Sequence, residues 1–184
     1  MNETIEESRK TLIKRAAVMA APSKEGTAAE KPAEFLEFVL ADERYAVELA
    51  FVREVCAGKR VTRIPGALPF MAGVANIRGR ILPVADLAVF FGIRAEAADL
   101  RTIVILRGRG AGKPAASGEV QELGILADAV RGVRSLPTAD IQPPPTGFAG
   151  IHAQYLGGIT PQGLIIFRAD RFLETNYAAV SPAK

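Results

Sequence analysis

From Phe35 onward the chain is a series of short apolar runs, many of them alternating with polar residues, separated by turn signals. Phe35-Leu36-Glu37-Phe38-Val39-Leu40 reads as a strand, Ala41 to Arg44 as a turn, and Tyr45-Ala46-Val47-Glu48-Leu49 as the other arm of a hairpin. Val52 to Val55 continues the alternation, a pattern compatible with a strand or with one helical turn. Val61 to Ile64 is extended until Pro65-Gly66 stops it. Val74 to Ile77 and Arg80 to Val84 read as strands that meet at Arg78-Gly79. Asp86 is placed to cap a short helix, Leu87 to Phe91, which Gly92 ends. Leu100 to Leu106 is β-rich and runs into a glycine-rich loop over 108–118. Leu123 to Val130 and Val133 to Leu136 give two strands around Gly132, and Pro143-Pro144-Pro145 stiffens the next connection. His152 to Leu156 and Leu164 to Phe167 complete the strands, around turns at Gly157-Gly158 and Pro161-Gln162-Gly163. Asp170 to Tyr177 reads as a C-terminal helix. Many short strands with few helices predict a mainly β fold, built as barrels or a sandwich.

The first residues follow a different period. Ile5, Leu12, Ile13, Ala16, Ala17 and Ala20 recur at helical spacing, with acids leading and bases following, so residues 4–20 read as an amphipathic helix. Pro22 ends it, and residues 21–33 have the composition of a flexible linker. The division expected is therefore a helix and linker over 1–34, a folded domain over 35–178 and a tail over 179–184.

Composition narrows the class. With 184 residues, 49% hydrophobic and 23% charged, the chain can bury a core without disulfides or metals, and its one cysteine, Cys56, cannot form an intrachain disulfide. No apolar run approaches the roughly 18–20 residues of a membrane span. The start of the sequence, with Glu3, Glu6 and Glu7, argues against a secretory signal, and the single cysteine fits a reducing cytoplasm. The net charge of +3 is spread along the sequence with no basic block interleaved with aromatics, so nucleic acid is not the expected partner.

One stretch carries a specific signal. Gly73-Val74-Ala75-Asn76-Ile77-Arg78-Gly79-Arg80-Ile81-Leu82-Pro83-Val84-Ala85-Asp86-Leu87 resembles the hallmark of the CheW family, G-V-x-N-L-R-G-x-x-x-P-V-x-D-L, departing at Ile77 alone. The first hairpin, Val52-Arg53-Glu54-Val55, Thr62-Arg63-Ile64-Pro65, the Gly124 to Val130 strand and Ile141-Gln142-Pro143-Pro144-Pro145 are similar to further family segments. Ala127, where a larger residue is common, and Arg168, where an aspartate usually follows the last strand, depart from the pattern. The resemblance implies two small five-stranded β-barrels sharing a hydrophobic core, and a non-catalytic adaptor with no cofactor. It implies two partners, the cytoplasmic tip of chemoreceptors and the regulatory domain of a CheA-type histidine kinase, and recruitment to the inner-membrane receptor array without membrane insertion. It leaves open a pilus or surface-motility pathway instead of a flagellar one.

The candidate residues follow. Arg78 stands between Asn76, suited to bonding local backbone, and Gly79, suited to a tight bend. There it either faces a partner as a receptor contact, as the resemblance implies, or pairs with Glu54 or Asp86 on its own domain. Val52 and Glu54 either line a receptor-binding groove or form a half-buried strand face. Gly73, Gly79, Pro83 and Asp86 read as structural: a close approach, a bend, a strand edge and a helix cap. Arg168 reverses the charge at the end of the last strand and is a candidate for choosing partners. An unrelated peptide-binding barrel and a hydrolase using Cys56 and His152 are the competing classes. A lone histidine supports neither a metal site nor an evident acid–base framework. Gly108 to Lys113 lacks the spacing of a phosphate loop, and Pro114 follows the lysine.

The alanine-rich stripe of residues 4–20 is narrow and buries little area. Removing residues 1–33 is expected to leave the domain folded, with a small change in melting temperature. Loss of cooperative unfolding in the truncated chain would instead assign the helix to the core.

Overall fold

The structure, a computed structural model, describes residues 32–93, 102–108, 121–144 and 152–180. The expected N-terminal helix, most of the linker and of the glycine-rich loop, and the final residues lie outside them. Among the described residues eleven strands form two sheets. The first holds β10 (Leu156–Ile159), β11 (Ile165–Phe167), β2 (Glu43–Glu48), β1 (Ala33–Leu40) and β9 (Ala129–Leu136), in that order. The second holds β3 (Val52–Cys56), β7 (Thr102–Arg107), β8 (Glu122–Ala127), β6 (Arg80–Ala85), β5 (Met71–Ile77) and β4 (Val61–Thr62). Among the described residues two α-helices accompany them, α1 (Leu87–Phe90) and α2 (Ala169–Val180). The mainly β reading holds, and the two-residue β4 makes the second sheet six-stranded rather than five-stranded.

Chain connectivity curls the second sheet. Its edge strands β3 and β4 are joined by four residues, 57–60. Five residues of fully extended chain span at most about 18 Å, whereas six flat strands would hold the edges about 24 Å apart. The edges therefore approach, and Cys56 of β3 and Val61 of β4 pack on one cluster of Ala75, Ile77, Leu82, Val84, Ile103, Ile105 and Leu126. The first sheet curls in the same sense. Phe35, Ala46, Leu136, Leu164 and Ile166 enclose a second cluster, and Gln142 and Ile159 exchange backbone hydrogen bonds of 3.0 and 2.8 Å that return the chain after β9 to β10.

The largest cluster lies between the sheets. It takes Leu36, Phe38, Leu40, Tyr45 and Val47 from the first, and Val104, Leu106, Leu123 and Ile125 from the second. Residues one position away point into the two smaller clusters: Phe35 and Ala46 into that of the first sheet, Ile103, Ile105 and Leu126 into that of the second sheet. The two-residue period of a strand thus sorts each continuous apolar run into a shared core and a private one. Leu87 from α1, Phe91 just beyond it, and Phe172 and Leu173 from α2 close the shared core. Phe172 meets Phe90, Phe167 and Tyr155 at ring-centroid distances of 5.1, 5.4 and 5.9 Å.

Several boundaries differ from the sequence pattern. Val52–Cys56 is a strand, preceded by a single 3₁₀ turn over Leu49–Phe51, which settles the alternative. The break expected at Gly132 falls instead at Asp128, where the backbone N–H bonds Val39 O (2.9 Å), and β9 passes through Gly132 with a bulge opposite Glu37/Phe38. His152 to Leu156 is not a strand. Ala153–Tyr155 is a 3₁₀ turn, and Gly157-Gly158 lie within β10. β1 begins at Ala33, paired with Leu136, two residues ahead of Phe35. Truncating Phe172 to alanine should cost about 3–5 kcal/mol in urea unfolding. The exposed Val133→Ala change should stay within about 0.5 kcal/mol. A loss below about 1 kcal/mol for Phe172→Ala would remove α2 from the core.

Candidate functional site

The β5–β6 hairpin positions Arg78. Ile77 pairs with Arg80 across a two-residue turn, and Arg78 and Gly79 both take positive φ, 52° and 85°, the signs that a type I′ hairpin turn requires. Asn76 fixes the turn by accepting the Gly79 N–H at Oδ1, 2.8 Å. The guanidinium projects from the tip with its side chain 81% exposed, and Nη2 reaches Glu54 Oε2 at 3.0 Å. Of the two internal partners considered for Arg78, Glu54 is the one used. Asp86 is buried and caps α1, accepting the N–H groups of Ala88 and Val89 at 2.9 and 3.3 Å.

The contact between Arg78 and Glu54 joins the hairpin tip to edge strand β3, which the curl of the sheet brings alongside. A second carboxylate, Glu122 at the start of β8, was not anticipated from the sequence. It is buried, paired with Arg53 Nη1 at Oε1 and with Arg80 Nη1 at Oε2 (2.7 Å). Arg53 Nε also lies 4.0 Å from Glu54 Oε1. Three arginines and two glutamates therefore form one chain of ion pairs across β3, β8 and the hairpin. The available signal was the lone acid opening the apolar run Glu122-Leu123-Gly124-Ile125-Leu126-Ala127, because a buried carboxylate must find cations.

The remaining candidates divide. Val52 is half-buried against the shared core, so on this strand the exposed apolar side chain is Val55. Gly73 makes the expected close approach, since a Cβ there would stand 2.0 Å from Thr62 O. Pro83 is not on a sheet edge: β6 is an interior strand, and Pro83 precedes Val84, where pairing with β8 begins. A proline is tolerated there because the ladder to β8 starts after it. Arg168 reaches forward onto the first turn of α2, the helix that follows it, with Nη2 2.9 Å from Asp170 Oδ2 and Nε 3.5 Å from Oδ1. Burial pushes the Asp170 carboxyl up, but hydrogen bonds from Arg168 and the Arg171 backbone, with both positive charges, outweigh it and hold the group below its ordinary value.

Cys56 and His152 do not form a reactive pair. Burial, and then the neighbouring Glu54 carboxylate, push the Cys56 thiol up, away from the thiolate that a nucleophile needs. Cys56 packs on the private cluster of the second sheet, whereas His152 stands edge-on to Phe90 at 4.7 Å on the shared core. Among the described residues no group of three or more His, Cys, Asp or Glu side chains is placed to hold a metal. Among them, too, no helix is long and apolar enough to cross a membrane.

Comparisons with known proteins agree with this geometry. The CheW-like domain matches residues 34–175. The chain is similar to a chemotaxis protein CheW of Klebsiella aerogenes, 32% identical over 150 residues that cover 80% of this chain and 85% of the relative. It is also 32% identical to protein FrzA of Myxococcus xanthus, over 71% of this chain and 76% of that one. A crystal structure of the scaffolding protein TtCheW from Thermoanaerobacter tengcongensis superposes with a TM-score of 0.63 at 29% identity, over 82% of this chain and 93% of that one. With its hallmark motif on the β5–β6 hairpin and its two curled sheets on one core, the chain belongs to the CheW-like domain family.

Proposed function

We propose that this protein is a non-catalytic scaffold of the cytoplasm that couples chemoreceptors to a CheA-type histidine kinase, with Arg78 as the receptor contact and Asn76 and Glu54 as the residues that hold it. Names carried by relatives support the general role: chemotaxis protein for one, scaffolding protein for another. The observation that carries the residue assignment is the backbone of Arg78. A left-handed turn position is most easily filled by Gly, Asn or Asp, and another side chain costs about 1 kcal/mol there. The fold gains little in return, because an ion pair this exposed is worth about 0–1 kcal/mol. A strained, exposed cation at a hairpin tip fits a group held ready for a partner carboxylate or carbonyl. Val52 enters the reading as the packed base of β3 beneath Glu54. The kinase contact is its regulatory domain, and the array at the inner membrane is where both partners meet. The likeness to FrzA is compatible with the same scaffold serving a surface-motility pathway.

Charge reversal at Arg78 tests this. Arg78→Glu should weaken binding to a chemoreceptor tip fragment about thirtyfold or more, the effect of about 2 kcal/mol at an interface centre. Unfolding of the same variant should move by less than about 1 kcal/mol. Unchanged binding, or a large loss of stability, would reject the assignment. Arg168→Asp replaces the partner of Asp170 with a like charge at the end of β11. It is expected to change the preference between cognate and non-cognate kinases or receptors, measured as a ratio of affinities. Identical ratios before and after would show that Arg168 serves its helix alone.

A further inference from the structure

The fold gathers positive charge that the sequence spreads out. Arg53, Lys59, Arg60, Arg63, Arg78 and Arg80 are all exposed on β3, on the turn between β3 and β4, just past β4 beside Gly73, and on the β5–β6 hairpin. Register explains the gathering. Val61 faces Ala75 and Thr62 faces Val74, so the chain running back from Val61 carries Arg60 and Lys59 toward the Asn76–Gly79 end of β5. Lys59 and Arg78 both act on the Cys56 thiol, which places them around the same spot.

Among the described residues the carboxylates paired with these cations are Glu54 and Glu122, and both are already shared among Arg53, Arg78 and Arg80. Among the described residues no ion pair engages Lys59, Arg60 or Arg63. The formal charge of the entire chain is only +3, so this face holds an excess that the rest of the molecule offsets. Neighbouring charges on such a face act together where they lie within the screening length, about 8 Å at physiological salt. The same strands and turns carry the exposed apolar side chains Val55, Ile64 and Ile81, the last 61% exposed.

We infer that this face docks an acidic protein segment, whose carboxylates pair with Lys59, Arg60 and Arg63 while its apolar side chains cover Val55, Ile64 and Ile81. Aliphatic side chains among cations suit an amphipathic protein surface. A single-stranded nucleic acid would call for exposed aromatic rings on which bases stack, and the large exposed hydrophobic residues here are all aliphatic. The inference rests on the coupling role proposed above. It adds that the receptor surface is acidic, and that three cations outside the Arg78 turn select it.

The test uses the full chain and three probes. These are a chemoreceptor tip fragment from the same genome, the same fragment with its surface Asp and Glu replaced by Asn and Gln, and a single-stranded oligonucleotide. Titration calorimetry is expected to show binding to the first that weakens at least about tenfold between about 50 and about 300 mM salt. Binding should weaken by a similar factor in the neutralised fragment and in the Lys59→Glu, Arg60→Glu double variant, with melting unchanged. Retained affinity in that double variant, while Arg78→Glu loses binding, would overturn the acidic dock and leave the coupling role standing. Failure of the unmodified chain to bind the fragment would overturn both. An oligonucleotide that binds as tightly as the fragment would overturn the choice of a protein partner.

Discussion

The architecture of this molecule depends on central strands, β1, β2, β6, β7 and β8, that bury residues on both faces. Two sheets packed through one face each would already make a domain of this size, but the apolar runs of β1, β2, β6, β7 and β8 leave little polar surface to turn toward water. By curling, each sheet encloses a small private core with alternate residues and gives the others to a core in common. Phe38, Tyr45, Leu106 and Ile125 lie at zero exposure in that common core, so neither half folds around its own interior alone. The two α-helices then act as lids, with Phe91 from beyond α1 and Phe172 from α2 closing the aromatic side.

Burying both faces leaves no room for unpaired charge, and each sheet meets that constraint in the same way. Glu37 of β1 is nearly fully buried and is held by Arg134 at 2.8 Å and Arg44 at 3.7 Å. Glu122 of β8 is equally buried and is held by Arg53 and Arg80. In both cases a carboxylate on an apolar run is neutralised by arginines from other strands, so the pair can form only in the folded sheet. Removing one partner would leave a buried charge, which costs far more than an exposed pair contributes.

Much of this was legible in sequence, for a physical reason. The period of two, the turn residues and the hallmark motif are local, and they located most strands, the Asp86 cap, the Gly73 approach and the Arg78-Gly79 bend. The misses are non-local. Pro83 looks like an edge residue until the order of strands is known. Gly132 looks like a break, but pairing with β1 carries β9 through it with a bulge. Glu122 reads as the polar end of a strand, because its arginines lie about 40 and 70 positions away in the chain. The scattered basic residues became a patch only once β4 lay beside β5.

The ion pairs at the second sheet therefore separate into two kinds by exposure alone. Glu122 is 3% exposed and binds its arginines where water competes weakly, so that part of the network belongs to the fold. Arg78 is 81% exposed and its contact with Glu54 competes with solvent and salt at every moment. Asn76, Gly79 and the type I′ geometry hold the backbone of the tip whether or not that contact is made, so the Arg78 side chain is free to change partners without disturbing the strands beneath it. An arginine whose position is set by the backbone and whose ion pair is weak meets two requirements of recognition at once: it is preorganised, and it gives up little to bind.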